Sequence, residues 1–365
     1  MLKDSPYGDL PAHAFWKTGV VQATTQLPEQ IYCKKFTIAK SDKIVTAGSC
    51  FAQHIGRVLK RRGFSVVDRE PPPPELPDWR HQVYGFSMYS ARYGNIYTTL
   101  QLHQLVKEAF RASPKKLLVW EKNGRYFDAL RPAIEPDGYA SIEELTEHRR
   151  LHLDQVRKCF LEMDVFVFTL GLTEAWQHRP SGRVVPVAPG VIAGSYDKDQ
   201  YQFLNLSVQS NLKIFRRFLN FLDRHRDGLP QPRILLTVSP VPLTGSASGE
   251  HVLVANTYSK AVLRVVAAEL AHSSPFIDYL PSYELVTNPV TISQAYGANL
   301  RSVSDYGVSR AMGCFVAEHD PEGSMPIDSS ATLLSPAAHD VTSDQSAAMA
   351  IACEEELLDL PDRLP

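Results

Sequence analysis

Several features that would place a protein at once are missing from this chain. Its 365 residues contain no C-x-x-C pair, and the five cysteines, Cys33, Cys50, Cys159, Cys314 and Cys353, are scattered. An odd, dispersed set argues against a disulfide framework and against a zinc site, and it fits a reducing cytoplasm. Long apolar runs are lacking too. None approaches the roughly 20 residues that cross a bilayer, and the opening M-L-K-D-S-P-Y-G-D-L lacks the apolar stretch of a signal peptide, so a cytoplasmic protein without a membrane span is expected. Charge of one sign is also absent. With 38 basic and 40 acidic residues mixed along the length, the formal charge is −2, which leaves no basic stripe for nucleic acid. Small molecules or other proteins are the expected partners, and nothing in the sequence fixes the oligomeric state.

What is present is ample apolar material, 44% of the residues, enough for one large domain with insertions or two smaller ones. Short apolar or β-branched runs at Ile44 to Ala47, Asp164 to Leu170, Arg233 to Val238 and Pro275 to Tyr279 read as buried strands. Between them, Gln53 to Arg62, Ser207 to Asp223 and Val254 to Ala271 carry apolar residues at helical spacing. This order predicts a doubly wound parallel sheet with crossover helices on both faces. In such sheets ligands bind beyond the carboxyl ends of the strands, which directs attention to the loops beginning at Gly48, Gly171 and Ser239.

Two segments interrupt the pattern. Glu70 to Trp79, with four consecutive prolines, predicts extended chain and leads into an aromatic region, Tyr84, Phe86, Tyr89, Tyr93 and Tyr97, that is expected to cover the active face and to suit sugar stacking. From about Asp320 onward the chain is rich in Ser, Ala, Asp and Pro, so a mobile tail is expected apart from a short helix over Gln345 to Leu358.

The most informative stretch is K-I-V-T-A-G-S-C-F-A, Lys43 to Ala52. A strand that ends in Gly48 and presents Ser49 and Cys50 at a helix start is a way to display a nucleophile, because the helix N-terminus offers N–H groups and a positive dipole end to a developing oxyanion. An ordinary turn glycine followed by a half-buried cysteine is the plain alternative. The second loop, Thr169 to Trp176, places Gly171 for close backbone approach and offers Thr173 or Glu174 to a substrate oxygen; alternatively Glu174 sits at a helix start and Trp176 in the core. The third loop ends in Glu250-His251, and a loop histidine there is a candidate general base.

Taken together, G-S-C-F-A, T-L-G-L-T-E-A-W, V-S-P-V-P-L, A-N-T-Y-S-K-A-V-L-R and Y-L-P-S-Y-E closely resemble the GSCFA domain family over roughly Pro28 to Val316. The resemblance implies an extension at 1–27, a domain at 28–316 with a Pro- and aromatic-rich insertion near 70–100, and a tail at 317–365. The family is similar to the SGNH or GDSL-like superfamily, which implies a flavodoxin-like three-layer α/β/α sandwich, ester hydrolysis or acyl transfer, often on carbohydrate, and no metal or organic cofactor. Matched without a gap, G-D-S-L falls on Gly48-Ser49-Cys50-Phe51 and makes Cys50 the nucleophile; a shift of one restores Ser49. The G-x-N-D oxyanion segment resembles Gly171-Leu172-Thr173-Glu174, and Gly94-Asn95 is the nearest match to the superfamily's second donor.

One departure stands out. The superfamily keeps a D-x-x-H pair after its last strand, whereas the corresponding Asn299 to Val303 holds neither Asp nor His. Either His251 substitutes, oriented by Glu250 or Glu284, or His54 does so from the first helix, or the chain binds a ligand without hydrolysing it. The expected activity is therefore acyl-ester hydrolysis or transfer on a small molecule or saccharide. A non-catalytic carbohydrate-binding or polysaccharide-assembly protein is the alternative, with a structural partner recruited through the tail as a third.

Overall fold

The computed structural model describes residues 5–23, 27–28, 30–112, 116–323 and 354–359. Along the chain come β1 (Ile44–Gly48), α1 (Phe51–Arg61), α2 (Asp78–His81), α3 (Thr99–Ala109), the hairpin β2 (Val119–Lys122) and β3 (Arg125–Asp128), α4 (Ile142–Glu162) and β4 (Val165–Leu170). Then follow β5 (Glu174–His178), β6 (Arg183–Val185), β7 (Tyr201–Asn205), α5 (Val208–His225), β8 (Arg233–Val238), α6 (Val252–Ser273), β9 (Ile277–Tyr279), α7 (Ser282–Thr287), α8 (Ile292–Ala295) and α9 (Asp305–His319).

The strands expected from their apolar runs form the central sheet, in the order β1-β4-β8-β9 with every pairing parallel. A single parallel bridge pairs Ile44 with Val66 beside β1. Because a strand points alternate side chains to opposite faces, each run serves two cores. Val45, Phe166, Phe168, Leu236 and Ile277 face a cluster that includes residues of α3, α4, α5 and α6. Ile44, Val165, Val167 and Leu235 face a second cluster with residues of α1, α7 and α9. Helices therefore cover both faces of this mixed α/β fold.

Helix α4 begins where Ser141 accepts from the Glu144 N–H at 3.1 Å and the Glu144 carboxylate reaches back to the Ala140 N–H at 2.8 Å. This reciprocal cap satisfies two donors that would otherwise be orphaned at the helix start. Glu174 opens a strand rather than a helix: β5 pairs antiparallel with β6 and β7 in a small separate sheet, and the half-buried Trp176 packs on Phe203 there.

The expected aromatic platform is corrected by burial. Tyr89, Tyr93 and Tyr97 are 2%, 2% and 3% exposed, and Phe86 lies beneath the Arg92 guanidinium. These rings fill the core between the sheet and the insertion, so they offer no open face for a sugar. The insertion itself is tied down by Glu70, whose carboxylate takes the Arg92 N–H and the His152 Nδ1–H, each at 2.7 Å.

Of the 317–365 stretch expected to be mobile, the described parts are placed. Helix α9 runs to His319, Pro321–Gly323 makes a 3-10 turn, and Glu354–Asp359 forms a second one packed against the domain. The remainder, including residues 345–353 of the expected short helix, lies outside the described residues. No described helix is long and apolar enough to cross a membrane.

Candidate active site

Gly48 closes β1 with φ +143°, a conformation that a side chain disfavours, and a Cβ there would lie 2.6 Å from the Thr169 carbonyl oxygen. That close approach fixes the start of the turn. The Ser49 N–H then donates to Thr169 O at 3.2 Å, the Ile96 N–H holds Gly48 O at 2.8 Å, and Cys50 forms the N-cap of α1. Ser49 and Cys50 are both buried, at 2% and 3% exposure. Ser49 Oγ has no hydrogen-bond partner among the described residues. A buried hydroxyl left without a partner is uncommon, and such groups concentrate where a ligand or a reaction supplies the missing contact.

The second and third loops meet this turn. Gly171 presses on Ser49 so closely that a Cβ would sit 2.9 Å from Ser49 Cβ and 3.1 Å from Tyr97 O. Ser239 arrives through its N–H, which donates to Leu170 O at 2.8 Å. Together Ser49, Cys50, Tyr97, Gly171, Leu172, Ser239, Val241 and Pro242 enclose a cavity of about 10 Å³, room for little more than one water molecule. Among the described residues no His, Asp, Glu or Lys side chain lines it.

Several donors expected to hold an oxyanion are engaged elsewhere. The N–H groups of Gly171 and Leu172 both donate to Tyr97 O at 3.1 Å, the Thr173 N–H donates to Ser259 Oγ at 3.0 Å, and the Thr173 hydroxyl donates to Asn205 Oδ1 at 2.7 Å. Lys260, almost completely buried, donates from Nζ to Gly171 O at 2.9 Å. Ser259 and Lys260 of α6 thus hold the Gly171 loop in place, a role that escaped the sequence reading. A signal for it existed: Lys260 stands three and seven residues before Leu263 and Ala267, on the buried stripe of its helix.

Asn95 lies beside the turn in a connected polar cluster. Its Oδ1 accepts from the Tyr89 hydroxyl, which is 3.1 Å from Ser49 O, and from Gln53 Nε2 of α1 at 3.3 Å. Asn95 Nδ2 donates to the Glu354 carboxylate, and the Tyr97 hydroxyl donates to Glu354 Oε2 at 2.8 Å. Burial pushes the Glu354 carboxyl above its ordinary range, against the hydrogen bonds from Asn95 and Tyr97. Glu354 was not among the residues singled out from sequence.

The histidines stand apart from the cavity. His251 is the exposed N-cap of α6, where Nδ1 accepts from the Leu253 N–H at 3.2 Å. His54 is half-buried against Phe51, and burial together with the nearby Arg57 pushes its pKa down to about 4. Glu250 is exposed, and Glu284 is taken up by Arg264 and by the Tyr279 hydroxyl at 2.8 Å. Glu174 accepts from Ser246 Oγ at 2.7 Å on the wall of a second cavity, about 400 Å³, bounded also by Leu172, Trp176, Phe203 and Leu243. The Asn299 to Val303 segment does reach the third loop: Arg301 Nη2 lies 3.4 Å from Pro242 O, and the Tyr296 hydroxyl donates to Pro240 O at 2.8 Å. Among the described residues no group of three or more His, Cys, Asp or Glu side chains is arranged to hold a metal ion.

No curated protein and no solved structure matches the chain. The GSCFA family model matches residues 43–315, a span that opens on β1, contains Ser49, Cys50, Asn95, Gly171 and His251, and closes within α9. The chain belongs to the GSCFA family.

Proposed function

We propose that the chain is an ester hydrolase or acyltransferase of the SGNH type, with the three-layer α/β/α arrangement of that superfamily, and that Cys50 and Ser49 form its reactive centre. The observation that carries this reading is the buried Ser49 Oγ, without a hydrogen-bond partner among the described residues, next to Cys50 where β1 meets α1. The strand order and helices on both faces agree with the superfamily arrangement. Since among the described residues no His, Asp, Glu or Lys side chain walls the cavity, a serine nucleophile there would lack its base. A thiol is intrinsically the better nucleophile and depends less on a base than a hydroxyl does.

In this mechanism the Cys50 thiolate attacks the ester carbonyl, forming an S–C bond and a tetrahedral oxyanion. Ser49 Oγ–H, which has no acceptor among the described residues, donates to that oxyanion. The ester C–O bond then breaks, and the leaving alkoxide takes a proton from solvent as the alcohol. Water or an acceptor alcohol attacks the thioester, gives up its proton, and carries the acyl group away while the thiolate is restored. His251 enters only if the 244–250 loop brings it inward, and a His251→Ala chain is expected to keep its turnover.

Incubation with generic acyl esters tests the proposal. Turnover by the native chain that is lost in a Ser49→Ala/Cys50→Ala double variant supports it, and equal turnover by both overturns it. The second reading, a binding protein that retains the fold, is favoured by the exposed His251 and by Arg301 in the place of the missing base. It predicts saturable ligand binding with no turnover in any variant.

A further inference from the structure

The segment Glu354–Asp359 lies beyond the family match, yet it buries an acidic side chain inside the domain that match defines. Glu354 is held by the Asn95 side-chain amide, the Asn95 backbone N–H and the Tyr97 hydroxyl. The pocket is fitted closely, since a Cβ at Gly94 would stand 3.6 Å from Glu354 Oε1. Four residues on, Leu358 enters the wall of the 400 Å³ cavity beside Leu172, Leu243 and Trp176, while Leu357 joins the same apolar cluster. Leu172 borders both this cavity and the small one at Ser49, and Tyr97, Leu172, Leu243 and Ala255 form one apolar cluster between them. Tyr97 thus lines the cavity at the reactive turn, and its hydroxyl is tied to Glu354.

We propose that Glu354–Asp359 is an internal competitor for an amphipathic ester: Glu354 fills the Asn95–Tyr97 site that receives the ester's polar oxygens, and Leu358, on the wall of the 400 Å³ cavity, narrows the space that receives its apolar acyl group. This rests on the acyl-transfer reading for the identity of the ligand, while the docking itself does not. The donors match the task, because two N–H groups and one O–H recognise a carboxylate and an ester oxygen alike. The small size of the cavity at Ser49 fits as well: with the Tyr97 hydroxyl bonded to Glu354, about 10 Å³ is too little room for an ester. A tethered segment acts at an effective concentration on the order of millimolar, so even weak intrinsic docking keeps most molecules closed.

The test uses the full chain carrying Glu354→Ala and Leu358→Asp, together with a fluorescent, N-acetylated peptide E-E-E-L-L-D-L that copies residues 354–360. By anisotropy the peptide is expected to bind the double variant at least about tenfold more tightly than the native chain, whose own strap competes. A peptide with alanine at its first position should not bind, and Tyr97→Phe in the double variant should weaken binding. In parallel the double variant should hydrolyse p-nitrophenyl butyrate with kcat/KM at least about tenfold above native, with the peptide acting as a competitive inhibitor. Equal peptide binding by both chains, or none by either, overturns the strap whatever the turnover. Peptide exchange as expected without ester turnover in any chain keeps the strap and removes the acyl-transfer reading. Turnover by both chains at equal rates removes the competitor role.

Discussion

Cys50→Ala is expected to lower ester turnover by about 10,000-fold or more, whereas Ser49→Ala is expected to cost about 100- to 1000-fold. The difference follows from the tasks the geometry leaves to each atom. Loss of the attacking atom ends covalent catalysis, and what survives is whatever binding and oxyanion stabilisation achieve with water as the nucleophile. Loss of the Ser49 hydroxyl removes one donor to the oxyanion and leaves the attacking sulfur in place. Cys50→Ser should behave like Cys50→Ala, because no base lines the cavity to activate a hydroxyl. Steady-state rates with p-nitrophenyl acetate, measured on chains shown to be folded by circular dichroism, separate these outcomes. A larger loss at Ser49 than at Cys50 would transfer the nucleophile to the serine.

Arg149→Ala is expected to destabilise the fold by about 3–5 kcal/mol, read as a lower urea midpoint with an unchanged slope. Arg149 of α4 is 3% exposed and bridges two acids, Glu108 of α3 at 2.8 Å and Asp128 of β3 at 3.2 Å. Arg131 and Arg183 complete the set, on Asp128 at 3.0 Å and on Glu108 at 2.6 Å. Burial works against ionisation of Asp128, but Arg149 and Arg131 together hold its carboxyl below the ordinary range. Without Arg149, Asp128 and Glu108 keep one guanidinium each, Arg131 and Arg183, and lose the charge-assisted hydrogen bonds that satisfied their remaining buried oxygens. Replacing Glu108, Asp128 and Arg149 together with Gln, Asn and Met leaves Arg131 and Arg183 buried without an acid and should therefore cost more than Arg149→Ala alone. A triple variant more stable than the single one would refute this account of the network.

The central sheet was legible because buried parallel strands are short continuous apolar runs, and Arg233 to Val238 is such a run at its full length. The turn at Gly48 was legible for a related reason: only glycine accepts that φ against the Thr169 backbone, so the residue marks the place. The small sheet was not, since Glu174, Gln177 and His178 give β5 no apolar alternation. Helix α4 hid behind its charged residues, although the cap Ser141-x-x-Glu144 announced its start. The aromatic run from Tyr84 to Tyr97 misled, because tyrosines suit a sugar platform and a core equally well, and only the fold decides between them. Glu354 was beyond reach altogether. Its partners lie more than 250 residues away, and nothing local in an acidic tail says that one carboxylate will be buried.

Mapping the acyl adduct tests the central claim most directly. The native chain, and separately the Glu354→Ala/Leu358→Asp chain, is reacted briefly with p-nitrophenyl acetate, quenched in acid and analysed by intact mass and then by peptide mass spectrometry. One acetyl group per chain, located on Cys50 and absent from Cys50→Ala, is the predicted result. Folded protein that acquires no acetyl group, or acquires it only on residues outside Gly48 to Phe51, would contradict it.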